Sequence, residues 1–136
     1  MRETEVSRFV AATPREVERA LTPVDVVTYE GSFDVFDVEE GEGETRVTAG
    51  GSGLRMTLEF ERREDELSYE QVGNEGPVEA MWTRIQWHPE NEGTRVTARS
   101  AVSLGLPLAA VTDRIAAWKR RGELKRALAN LAEELE

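Results

Sequence analysis

PLAAVTDRIAAWKRRGELKRALANLAEEL, residues 107–135, is the stretch that decides the fold. Pro107 suits the first turn of a helix, where its missing N–H leaves no bond unmade. Beyond it Leu108, Val111, Ile115 and Trp118, then Leu124, Leu128, Leu131 and Leu135, recur at steps of three and four, the pattern of an apolar helical stripe. At about 1.5 Å per residue the helix would be roughly 40 Å long. No strand elsewhere in the chain matches that length, so the helix is expected to lie across the whole buried face of a sheet. Gly122 interrupts it one turn after Trp118, at about 1 kcal/mol relative to alanine. A kink, a close approach by another element and a tolerated defect all fit that glycine.

The sheet is legible just upstream. Between Gly31 and Leu104 six alternating segments are separated by turn sequences, which predicts antiparallel strands. They are SFDVFDVEE, TRVTA, LRMTLEFERR, ELSYEQV, VEAMWTRIQW and TRVTARSAVSL. Leu54, Met56, Leu58 and Phe60 share one face; so do Leu67 and Tyr69, and Met81, Ile85 and Trp87. In the last strand Val96, Ala98, Ser100, Val102 and Leu104 point one way while Arg95 and Arg99 point the other, as in a sheet with one buried and one wet face. Phe33, Val35, Phe36 and Val38 cannot all share a face, so the first of the six is expected to carry a bulge. Strand parity also turns Gln71 and Glu79 inward, and with them Arg8 and Arg62.

The N-terminus completes the order. Residues 3–12, ETEVSRFVAA, read as a strand, and Thr13-Pro14-Arg15-Glu16 is a capping box opening a short helix to about Leu21. Thr22-Pro23 starts a second helical turn through about Val27. Both helices are too short to be stable unless they lie against something larger.

Composition narrows the function classes. Twenty-seven acidic against seventeen basic residues give a net charge of −10, and only Lys119 and Lys125 among the basic ones are lysine. A balance so acidic argues against nucleic-acid binding and fits a salt-adapted host, where counterions screen self-repulsion. It predicts a melting temperature that rises from dilute buffer to molar potassium chloride; a flat or falling curve would refute salt adaptation. There is no cysteine, so disulfides and thiolate chemistry are excluded, and one histidine rules out multi-histidine metal sites. The polar start (Arg2, Glu3, Glu5) and the lack of any apolar run of about 20 residues predict a cytoplasmic protein with no membrane span.

Local motifs say less. AGGSGL, residues 49–54, offers three glycines, but a phosphate loop needs a helix behind it, and here a strand follows. Gly50, Gly51 and Gly53 are therefore expected to form a strand-to-strand turn. His88, next to Pro89 at a hairpin tip, reads as a solvated turn residue. DRIAAWKRRGELKR, residues 113–126, holds six basic and two acidic residues and is expected to lie on the outer helix face, paired with neighbouring glutamates.

Strand, two short helices, six strands and one long helix: in order and in length this resembles the helix-grip fold of the START-like (SRPBCC) superfamily, and within it the polyketide cyclase-like group. FVAATPREVERAL, AGGSGL and the C-terminal helix carry the likeness, which covers essentially residues 1–136 as one α+β domain. It implies a curved antiparallel sheet of about seven strands around the long helix, enclosing a cavity with the glycine loop at one mouth. Periodicity alone leaves the inward apolar residues as either solid core or cavity lining. The resemblance implies lining, with Met56, Leu58, Phe60, Tyr69, Met81, Ile85, Trp87, Ile115 and Trp118 as ligand-binding positions. The function it implies is binding or carriage of a small hydrophobic molecule such as a lipid, a quinone or a polyketide-like ring. The alternatives are a protein-interaction or assembly module using the acidic sheet or the basic helix, and a cyclase or dehydratase. For the last, Tyr69, Glu79, Arg84 and Arg62 are the available acid–base groups, in no recognisable constellation, so no catalytic residue, metal or cofactor is assigned. A monomer or weak dimer is expected.

Overall fold

The computed structural model describes residues 1–51, 53–73 and 78–136. Its elements are β1 (Arg2–Val10), α1 (Pro14–Ala20), α2 (Pro23–Glu30), β2 (Asp34–Glu40), β3 (Glu44–Gly51), β4 (Leu54–Arg63), β5 (Glu66–Val72), β6 (Ala80–Glu90), β7 (Gly93–Ser103) and α3 (Ala109–Leu135). The seven strands form one antiparallel sheet in the order β1-β7-β6-β5-β4-β3-β2. Consecutive strands from β2 to β7 are hairpin neighbours, and β1 closes the far edge beside β7, leaving α1 and α2 to carry the chain from one edge to the other. The expected bulge lies in β2, where the register shifts between Val35 and Asp37.

Both short helices start as the sequence requires. Thr13 and Thr22 accept hydrogen bonds through their hydroxyls from the backbone N–H of Glu16 and Asp25, each with proline in the first turn. The second helix runs on past Val27 to Glu30 and stops at Gly31, whose φ of 76° is the left-handed cap that glycine adopts without strain. The end of α2 is then tied down by α3: Arg126 donates to the carbonyl of Glu30 (2.8 Å) and Asn130 to that of Tyr29 (2.8 Å).

The inner face of the sheet supplies the core. Val47, Phe60, Leu67, Ile85, Val96 and Ala98 are all at most 2% exposed, and Leu124, Leu128 and Leu131 meet them from α3. Inward direction does not mean burial toward the ends of elements. Leu54, Arg8 and Arg62 share the inner face by register, opposite Gly51, Val96 and Leu67, yet are exposed, as is Glu79 just before β6. Gln71, opposite Leu58, is half-buried. Arg62 is not idle, since its guanidinium donates to the carbonyl of Leu21.

Two expectations about α3 need correction. First, it does not cover the whole sheet; its backbone packs chiefly on β1, β7 and α2, leaving the inner faces of β3 to β5 to be closed by side chains. Second, Ile115 and Trp118 do not face the sheet. They are 61% and 77% exposed. Counting back from Leu124 by four, three and four residues gives Arg120, Ala117 and Asp113, and these are the buried positions. Trp118 lies six residues before Leu124, roughly 240° around the helix at about 100° per residue, so the two leucine-rich runs are separate stripes on different faces. The helix begins at Ala109, after a left-handed Leu108 (φ 62°).

Candidate functional site

A cavity of about 270 Å³ occupies the gap between α3 and the middle of the sheet. Its apolar wall comes from Ala49 and Met56 near one end of the β3–β4 hairpin, Leu58 deeper in β4, Met81 and Val102 on paired strands, and Val27 and Phe33 on either side of the end of α2. Val78, Leu104 and Ala116 complete it. The polar atoms gather on one side, where Glu30, Tyr69, Arg120, Lys119 and Glu123 reach the lining.

Arg120 organises that side. It is 4% exposed, and all five of its N–H donors are engaged. Nε donates to Ser100 Oγ (3.1 Å) and one Nη2 hydrogen to Thr83 Oγ1 (2.8 Å). The other Nη2 hydrogen goes to the Tyr69 hydroxyl, and Nη1 is shared between Glu30 Oε1 and Glu123 Oε1, the latter at 3.4 Å. Ser100 donates onward to the carbonyl of Trp82 (2.8 Å), so it must accept from Thr83, 3.0 Å away. Tyr69 donates to Glu30 Oε2. The cluster is a closed circuit in which Arg120 feeds two hydroxyl relays that end on a backbone carbonyl and a buried carboxylate.

Electrostatics hold Tyr69 and Arg120 each in one protonation state. Burial raises the tyrosine pKa, with Glu30 adding to the shift, while Arg120 opposes it; the net is a phenol held well above its ordinary range. For Arg120 burial is the largest influence and works against its charge. Glu30, Tyr69 and Glu123 outweigh it, so the guanidinium stays charged at every accessible pH. Because the folded tyrosine binds its proton more tightly than the unfolded one, stability should be intact below pH 10.0, the ordinary tyrosine value, and fall above it. Tyr69→Phe should flatten that alkaline decline in melting temperature; a decline of unchanged slope would remove Tyr69 as its cause.

The positions expected to bind ligand divide into three groups. Met56, Leu58, Tyr69 and Met81 line the cavity. Phe60, Ile85 and Trp87 are buried but lie outside its lining, further along their strands, in the half of the core that α1 helps to cover. Ile115 and Trp118 are on the outside of α3. Gly50 and Gly51 pair with Arg55 and Leu54 across the hairpin, and a side chain at Gly50 would run into the carbonyl of Leu54. Gly53 has φ 82°, and Ser52 lies outside the described residues. Gly50 and Gly53 are thus the glycines the hairpin needs, whereas a side chain at Gly51 would meet nothing within 4 Å. All three lie just beyond the lining contributed by Ala49 and Met56. Arg84 is on the wet face beside Glu66 (3.6 Å). His88 lies in β6, paired with Arg95 rather than in the turn, with its exposed ring 3.9 Å from Glu90.

Glu30, Arg120, Thr83, Lys119 and Glu123 are the polar members of the site that sequence reasoning passed over, together with apolar lining such as Val27, Phe33 and Ala116. For Arg120 a signal existed in its four-residue spacing from Leu124. Thr83 sits at inward parity between Met81 and Ile85. Glu30 carried none beyond its place before Gly31.

The whole architecture recurs among solved structures. TTHA0849 from Thermus thermophilus superposes with a TM-score of 0.75 at 20% identity, covering 98% of this chain and 97% of that one. A START superfamily protein from Mycobacterium smegmatis gives 0.72 at 12% identity, with 98% and 99% covered. The Zhui aromatase/cyclase from Streptomyces sp. R1128 gives 0.68 at 14%, with 99% and 96% covered. At these identities the likeness establishes the helix-grip fold and no more. No curated protein matches in sequence. The family model described as polyketide cyclase / dehydrase and lipid transport matches residues 1–136, and the chain belongs to that family.

Proposed function

We propose that this protein binds or carries a small hydrophobic molecule in the cavity between α3 and the sheet. The observation that supports the reading is an apolar enclosure of about 270 Å³ whose polar side is already satisfied by its own partners. An apolar cavity of ~150 Å³ takes one benzene ring, so this one suits a ligand of about two rings or a medium-length chain. Most of that ligand would meet Met56, Leu58, Met81 and Val102. Its polar end would lie toward Tyr69, Lys119 and Glu123.

The family description and the aromatase/cyclase neighbour also suggest an enzyme. Against it stands the saturation of the cluster. Tyr69 is held protonated, Arg120 has no spare donor, and a group locked in such a circuit is a poor proton shuttle. Among the described lining residues Lys119 stands outside the circuit and Glu123 at its edge, on one shared Arg120 hydrogen bond. Turnover of a polyketide-like substrate that depended on them would favour the enzyme reading.

The test is ligand retention. Native mass spectrometry of freshly purified protein should show a bound apolar adduct. After its removal, neutral one- to three-ring aromatics and medium-chain alcohols should raise the melting temperature saturably, by the equivalent of about 2.7 kcal/mol at a hundredfold excess over Kd. No adduct, together with no stabilisation by any of the panel, would remove the proposal.

A further inference from the structure

The outward face of α3 is apolar where a helix of this kind should be polar. Val111 is 58% exposed, Ile115 61%, Trp118 77% and the preceding Leu108 79%. On the helix Val111, Ile115 and Trp118 fall on one stripe, opposite the buried Asp113, Ala117, Arg120 and Leu124. Gly122 continues the stripe, and a side chain added there would meet nothing within 4 Å, so its absence has no cause in the chain's own packing. A solvated helix would gain from alanine at that position.

The charges beside the stripe are of one sign. Arg114, Lys119, Arg121, Lys125 and Arg126 are exposed between Ala109 and Arg126, whereas the two acidic residues of that span, Asp113 and Glu123, are buried or half-buried. This is a positive face on a chain of net charge −10. Leu106, two residues before Leu108, is exposed as well.

We propose that this face docks on an anionic lipid bilayer, with Ile115 and Trp118 in the interfacial layer and the basic flanks on lipid phosphates. Apolar side chains seek hydrocarbon and their neighbours seek phosphate, and a bilayer surface supplies both at the required depth. Tryptophan is the side chain most at home at that boundary. A second copy of the chain is a worse occupant, since α3 against α3 would set five cations against five. The acidic remainder of the molecule is repelled by the same surface and fixes the orientation. Ala116 and Lys119 border both this face and the cavity, so docking brings the opening toward the lipid, although the docking rests on the surface alone and not on the cavity's having a ligand.

Co-sedimentation with phosphatidylcholine–phosphatidylglycerol vesicles in dilute salt, against phosphatidylcholine alone, tests it. Native protein should sediment with the mixed vesicles only, with a blue shift of tryptophan emission. The variant I115S/W118S should stay in the supernatant, and R114E/K125E should bind roughly tenfold or more weakly. Both should melt as the native protein does, because these side chains are outside the core. Met81→Trp, which fills the cavity, should bind vesicles normally, so failure of the ligand reading would be seen separately. Native protein that remains in the supernatant, or I115S/W118S that sediments like native, overturns the proposal. So does an oligomer in native protein that I115S/W118S abolishes without vesicle binding, which would assign the face to a protein contact.

Discussion

Arg120→Met should lower stability by about 3–5 kcal/mol, the loss expected when one partner of a buried ion pair is removed and the other is left behind. For a chain of this size that is a fall in melting temperature of roughly 10–20 °C. The cause would not be lost packing, since methionine retains most of the aliphatic stem. It would be Glu30, 8% exposed, left with Tyr69 as its main partner, together with Thr83 and Ser100 deprived of a donor. Glu30→Gln in the same background should therefore cost much less than it does alone, with a coupling of about 0.5–3 kcal/mol in the double-mutant cycle. Strict additivity of the two substitutions, or an Arg120→Met protein that melts like the native one, would mean that the circuit is not formed in solution. Its proposed role as the fixed polar side of the cavity would fall with it.

The fold was legible because its signals are local and repeated. Thr13-Pro14 and Thr22-Pro23 set the helix starts, and the hairpin turns at 41–43, 64–65 and 91–92 separate strands whose parity is read directly. The site was legible only where it borrowed from that parity, at Met56, Leu58, Tyr69 and Met81. It failed on α3 because hydrophobicity was followed where geometry should have ruled. Leu108 to Trp118 and Leu124 to Leu135 each obey the helical period, but the six-residue step between them does not. The inward stripe of the first half is Asp113, Ala117 and Arg120, which no search for large apolar residues would select. Burying an arginine is costly without partners, and its partners come from α2, β5, β6 and β7, elements far apart in sequence. Only the assembled structure brings Glu30, Tyr69, Thr83 and Ser100 to one guanidinium. The two misplaced residues, Ile115 and Trp118, are then informative in their own right, as large apolar side chains that the core does not use.

Met81→Trp should abolish binding of small apolar ligands while leaving the melting temperature within a few degrees of native. Met81 is 8% exposed and faces the cavity, beside Val102 on the neighbouring strand. There is room of about 270 Å³ for an indole, and filling it gives the ring contacts on sides where the native wall has none. Ile85→Trp supplies the contrast. Ile85 is on the same strand and the same face, four residues along, but it is 2% exposed and lies outside the cavity lining. Forcing an indole into that half of the core should overpack it by ~1–3 kcal/mol or more. The two variants make the same kind of change at equivalent parity, so a difference between them reports the space and not the residue type. If both destabilise equally, and the native protein shows no ligand-induced rise in melting temperature to lose, the core is solid in solution. In that case the curvature of the sheet around α3 is a packing solution rather than a binding site.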